Sequence, residues 1–233
     1  MSLLALAFFG FLLGVRHAME ADHLAAVASL ATRTKSLGEG LRLGAIWGLG
    51  HTVTLFFVGA VVLLVDTLIP EDVAAGLELL VGVMLIALGI DVLRVWLRRP
   101  VRFDVHEHAG GEKHLHAYRA DAAPGNEHVH PKGLSLRALF VGFMHGMAGS
   151  AALVLLALGK ATSVAAGLLY IAVFGLGSIF GMALLSVVVS VPMRWSSKRM
   201  GWIHGGVQAA IGVVTVMLGI AIVYQNVGLV WGR

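Results

Sequence analysis

Apolar positions in this chain come in long runs. Six of them, Leu3 to Ala31, Leu43 to Leu68, Ala74 to Leu93, Leu136 to Leu158, Val164 to Val191 and Trp202 to Val227, are separated by polar connections. Each run is long enough to cross a hydrocarbon layer about 30 Å thick. Lipid offers no partner to backbone N–H and C=O groups, and the runs are too long for strands, so they predict helices. The chain is 58% hydrophobic and 13% charged over 233 residues, more apolar surface than one soluble core of that size could cover. The expected class is therefore an all-α polytopic membrane protein with six transmembrane helices. Met1 to Gly14 is apolar like a secretory signal, but it lacks a basic leading region and runs directly into charged residues. It reads as the first half of a retained helix.

The basic residues orient these spans. They gather in the first connection (Arg33, Lys35, Arg42), the third (Arg94, Arg98, Arg99, Arg102, Lys113, Arg119, Lys132, Arg137) and the fifth (Arg194, Lys198, Arg199). The opposite side has Lys160 and Arg233, with Asp66, Glu71 and Asp72 in the second connection. The positive-inside bias then predicts cytoplasmic odd-numbered connections and both termini outside, in the cell (inner) membrane. The formal charge of +4 follows this pattern and is no sign of a nucleic-acid partner.

Two halves resemble each other. Gly14-Val-Arg-His17-Ala-Met19 aligns with Gly142-Phe-Met-His145-Gly-Met147, and Trp47-Gly-Leu-Gly-His51 with Phe174-Gly-Leu-Gly-Ser178. Gly82 and Gly89 align with Gly212 and Gly219 at nearly the same offset. Each unit has three spans, an odd number, so the second copy is expected to enter the membrane inverted. The expected organisation is a first three-helix repeat over residues 1–97, a cytoplasmic loop over 98–135, and a second, inverted repeat over 136–233. The loop holds three His-x-His pairs, His106/His108, His114/His116 and His128/His130. With Gly110, Gly111, Pro124, Gly125 and Pro131 interrupting it, the loop reads as an irregular segment that captures metal.

The densest chemistry lies inside the first span, in Arg16-His17-Ala-Met-Glu20-Ala-Asp22-His23. A carboxylate at the centre of a membrane helix costs about 2.5–3.5 kcal/mol on insertion scales, and ionisable groups there mark ion pathways. On a regular helix His17, Glu20 and His23 would form one stripe, while Asp22 would project away from His17. Two arrangements remain open. Either the helix is broken near Gly14, or Asp22 acts from behind a histidine, fixing its tautomer, or pairs with Arg16. The chain has no cysteine, which removes disulfides, thiol relays and thiolate metal sites. Nitrogen and oxygen donors of this mix suit nickel and its neighbours, whereas magnesium and calcium want mostly oxygen. The repeat adds His51 and His145 as candidate ligands. His204 and the sulfurs of Met19, Met144 and Met147 are weaker ones. Glu78 and Asp91 are candidate relay carboxylates, with Asp91 alternatively beside Arg94 at the interface.

The His17-x4-Asp22-His23 pattern in a first span resembles the signature of the nickel/cobalt transporter (NiCoT/NicO) superfamily, and Leu49-Gly-His51-Thr resembles its second motif. The short six-span form with Phe143-Met-His145-Gly-Met-Ala-Gly-Ser150-Ala is similar to the UreH-type nickel permeases. The resemblance implies high-affinity movement of Ni2+, or of Co2+, as substrate with no cofactor, and hand-off to cytoplasmic metallochaperones. Larger members carry carboxylates where this chain has Gly146 to Ser150 and Ser186, so selectivity does not carry over. The histidine-rich loop is similar to that of efflux relatives, which leaves direction open. An intramembrane enzyme is disfavoured, because a zinc protease needs His-Glu-x-x-His and the order here is His17-x-x-Glu20-x-x-His23.

Overall fold

The computed structural model describes residues 3–34, 36–65, 69–98, 101–107, 113–119, 131–148, 163–199 and 201–231. Among these residues the elements are α1 (Leu3–His17), α2 (Ala21–Ala31), α3 (Leu37–Val65), α4 (Glu71–Arg98), β1 (Val101–Glu107), β2 (Lys113–Arg119), α5 (Pro131–Ala148), α6 (Val164–Arg199) and α7 (Gly201–Val230). Four stretches, Leu37–Val65, Glu71–Arg98, Val164–Met193 and His204–Val230, are helical, long and apolar enough to cross a membrane. They lie in α3, α4, α6 and α7. The apolar helices at α1, α2 and α5 are shorter.

The first apolar run is two helices. At the end of α1, the amides of Met19 and Glu20 turn back to the carbonyls of Arg16 and His17 (2.9 and 3.0 Å), and Glu20 then extends at φ −64°, ψ 151°. The chain re-enters a helix when the Leu24 amide reaches the Glu20 carbonyl at 2.9 Å. The break thus lies at Ala18–Glu20, past Gly14, and its backbone groups stay paired as a low-dielectric surrounding requires.

Small residues set the packing. α3 runs along both α5 and α6, α1 along α6, and α4 along α7. A Cβ on Gly14 would strike the Phe174 carbonyl and the Ser178 amide, while one on Gly142 would strike the Trp47 carbonyl and the His51 amide. Gly82 abuts the Gly219 carbonyl and Gly89 the Gly212 carbonyl, so α4 and α7 run antiparallel at glycine-close distance. Such approach gains dispersion contacts, which hold membrane helices together where lipid removes the hydrophobic drive. The Ser29 and Thr215 hydroxyls, 3.0 Å apart, join α2 to α7.

Two expectations change at the polar edge. Asp91 meets Arg33 at 2.5 Å and Arg137 at 2.6 Å, joining α4 to the end of α2 and to α5, where Arg94 had been expected. The two arginines approach from separate segments that neighbour each other only in the fold. The loop between the halves also has regular structure. β1 and β2 pair antiparallel from Val101↔Arg119 to Glu107↔Lys113, because both segments alternate apolar and polar residues with period two. His108, His128 and His130 lie outside the described residues.

Candidate metal centre

The helix break turns one sequence motif inward from two directions. His17 closes α1, and Asp22 and His23 open α2. His51 comes from the middle of α3 and His145 from the last turn of α5. His23, His51 and His145 are at most 1% exposed, and His17 is 9% exposed. The His23 ring lies 4.4 Å from that of His17, 5.1 Å from His51 and 4.1 Å from His145, measured between centroids. Two groups of donor atoms, His17/His23/His51 and Asp22/His23/His145, each fall within 4.8 Å of one another and share His23.

Two carboxylates organise the rings. Asp22 Oδ1 accepts from His23 Nδ1 and from the His23 amide, both at 2.9 Å, and Asp22 Oδ2 accepts from His145 Nε2 at 2.9 Å. Glu20 Oε2 accepts from His17 Nδ1 at 3.0 Å. A carboxylate only accepts, so each of these ring nitrogens carries the proton and the other nitrogen of that ring is left as a lone pair. Among the described residues, His23 Nε2, His51 Nδ1 and His145 Nδ1 are buried without a hydrogen-bond partner. Leaving such atoms unmatched costs about 1–3 kcal/mol each unless something polar meets them. Cations meet lone pairs.

His17 Nε2 and His51 Nε2 stand 3.3 Å apart. Imidazole nitrogens about 2.0–2.1 Å from a shared zinc-like ion, at angles between square and tetrahedral, would be about 2.9–3.4 Å apart. His17 Nε2 and His51 Nε2 are thus spaced as two nitrogens sharing one ion would be, and His23 offers a third donor atom within 4.8 Å of them.

Aromatic walls close the cluster. Trp47, fully buried, has its ring 5.5 Å from that of His23 and 5.8 Å from His145, and Phe174 lies 5.3 Å from His17. Sequence reasoning did not mark these two as site residues. The signal was present, since they head the repeated Trp47-Gly-Leu-Gly and Phe174-Gly-Leu-Gly segments. Dry walls strengthen the field that each ring nitrogen presents.

Other candidates stand elsewhere. Arg16, Met19 and Glu78 are exposed, Asp91 belongs to the arginine cluster, and His204 opens α7 outside both donor groups. Of the loop histidines, His106, His114 and His116 sit on the hairpin strands.

Comparison with known proteins places the chain in a family. The chain is 34% identical to the urease accessory protein UreH of Bacillus sp. (strain TB-90) over 99% of its own length and 95% of the relative's. It is 25% identical to a putative nickel/cobalt efflux system of Methanocaldococcus jannaschii, over 90% of this chain and 91% of that one. No solved structure matches it significantly. The profile of the high-affinity nickel-transport proteins runs over residues 3–228, from the first residue of α1 almost to the end of α7, and this chain belongs to that family, NicO.

Proposed function

We propose that this chain takes up nickel across the cell membrane through the His17/His23/His51 seat, as a permease and not as an enzyme. The observation that carries the reading is the cluster of buried imidazoles of His17, His23, His51 and His145, in which His17 is turned onto Glu20, and His23 and His145 onto Asp22. Ni2+ exchanges part of its water shell for these nitrogens, and imidazole donors suit nickel and cobalt better than magnesium or calcium. His145 enters through Asp22, either holding the carboxylate in place or offering its second nitrogen to an ion leaving the seat. An inside-negative potential draws a divalent cation inward by about 4.6 kcal/mol per 100 mV. Membership of a nickel-transport family supports the metal, and the inward direction rests on that potential.

The architecture of the proposal is six spans in two inverted copies, with α1 and α2 forming one interrupted span. Reciprocal contacts support it. Gly14 meets Phe174 and Ser178 as Gly142 meets Trp47 and His51, and Gly82 meets Gly219 as Gly89 meets Gly212. A pseudo-two-fold axis produces such exchanged pairs, and interrupted helices at a repeat interface are where transporters hold their ions. Both termini lie outside and the hairpin lies in the cytoplasm, where it can capture the ion for metallochaperones.

The test is accumulation of radiolabelled Ni2+ in cells expressing the chain. Accumulation should rise above that of control cells, and His17→Ala should return it to the control level. Lower accumulation together with greater nickel tolerance would identify an exporter and sink the uptake reading. Unchanged transport in His17→Ala would sink the seat.

A further inference from the structure

α2 and α5 both lead from the metal centre toward the edge where the basic residues gather. They are tied at one end by Asp22, whose Oδ2 accepts from His145 Nε2. At the other end Asp91 Oδ2, on α4, accepts from Arg33 just past α2 and from Arg137 near the start of α5. At 1.5 Å per residue, Asp22 to Arg33 and Arg137 to His145 each span roughly 12–17 Å, so the two ties sit two to three turns apart. Between them α2, α4 and α5 are filled by Ala26, Leu30, Leu85, Leu88, Ala138 and Val141, none more than 5% exposed. The centre is reached from the helix break instead, where the Glu20 side chain is 56% exposed and that of Asp22 28%.

We infer that Asp91, Arg33 and Arg137 latch a gate that closes the metal path on that basic edge. The inference rests on the permease reading above, though not on the direction of transport. The apolar plug offers an ion no donor, and a dry constriction blocks ions by excluding water. Beyond it, two guanidinium groups against one carboxylate leave a net positive charge that repels a divalent cation. The ion therefore passes only when α2 and α5 part, and parting them breaks the latch. Its strength suits that duty. All three side chains are about one-third exposed, so water and salt keep the attraction small enough to be broken in each cycle, where a fully buried pair would lock the gate. At the offset that pairs Gly89 with Gly219, Asp91 falls on Ala221, so the second half has no carboxylate at the matching position of the opposite edge.

The chain has no cysteine, so single engineered cysteines report on the gate in the full-length protein. Val141→Cys, nearly isosteric, and Leu88→Cys each place a thiol in the plug, and either carries the test if the other fails to fold. Leu55→Cys places one in a separate buried cluster. Each variant is treated with a membrane-impermeant maleimide in inside-out and in right-side-out vesicles, without metal. The plug thiols should react slowly while Asp91 is intact. Asp91→Asn should speed them about threefold to fivefold, as much as a part-exposed ion cluster holds back, and only in inside-out vesicles. Raising salt should bring the parent toward the Asp91→Asn rate and leave Asp91→Asn itself unchanged. Leu55→Cys should not respond. Equal plug rates in the two backgrounds would overturn the gate. So would equal acceleration at Leu55→Cys, which signals general loosening, or reaction confined to right-side-out vesicles. Because no metal enters the measurement, its outcome is separable from that of the uptake assay.

Discussion

His17 Nε2 and His51 Nε2 face each other across 3.3 Å, although the residues lie 34 positions apart on different helices. One is held from behind by Glu20, and the other has its remaining nitrogen buried without a partner among the described residues. Two like atoms at that distance, both able to offer a lone pair, are stable together when a proton or a cation lies between them. This relationship sets the expectations for the site.

Replacing the imidazoles removes donors outright. His17→Ala, His23→Ala and His51→Ala should each lower Ni2+ affinity and uptake by at least about tenfold to a hundredfold, the range found even for residues behind a metal ligand. Dialysis of purified protein and cellular accumulation should fall together. Three variants with parental affinity would place the ion elsewhere.

Asp22 and Glu20 should behave differently from each other. Asp22 accepts from two rings and from an amide, so Asp22→Asn, with one accepting oxygen, frees at least one ring and should cost about tenfold to a hundredfold in affinity. Gln at position 20 can still accept from His17 Nδ1, so Glu20→Gln should lose less than about tenfold. A Glu20→Gln loss as large as that of His17→Ala would make Glu20 a direct ligand.

Metal should stabilise the fold. A ligand that binds only the folded chain adds about 2.7 kcal/mol at one hundred times its Kd. Unfolding temperature in detergent should therefore climb with Ni2+ concentration, drop on chelation, and respond much less in His51→Ala.

The glycine contacts predict a positional pattern. Gly89→Val and Gly142→Val force side chains into backbone of a neighbouring helix and should destabilise by about 1–3 kcal/mol or prevent folding. Gly76 has open space around it, so Gly76→Ala should be neutral or slightly stabilising, since Ala is the better helix former. Thermal unfolding of the detergent-solubilised variants decides.

Asp91 closes a half-exposed cluster with two arginines, so its worth is limited by water and salt. Asp91→Asn should cost about 1 kcal/mol or less, with the difference from the parent shrinking as salt rises. A loss of several kcal/mol, unaffected by salt, would mean the cluster is dry.

The membrane character was legible in the sequence because hydropathy is a local, additive property that needs no partner. The candidate residues stood out for a related reason: His17, Asp22 and His23 are conspicuous against the apolar residues around them. The hairpin was obscured by the glycines and prolines elsewhere in the loop, although its strands, Val101–Glu107 and Lys113–Arg119, contain neither. The break at Ala18–Glu20 could not be read, since Ala, Met and Glu all favour helix and neither glycine nor proline marks the place. Nor could the chain alone say which nitrogen each ring turns inward, or that Trp47 and Phe174 wall the site. Those outcomes come from contacts between segments far apart in sequence. The break lies where α1 packs on α6 and α2 reaches α7, and Asp22 acquires His145 only when α5 is beside it. Composition put costly groups in the membrane; helix packing decided which of their atoms meet.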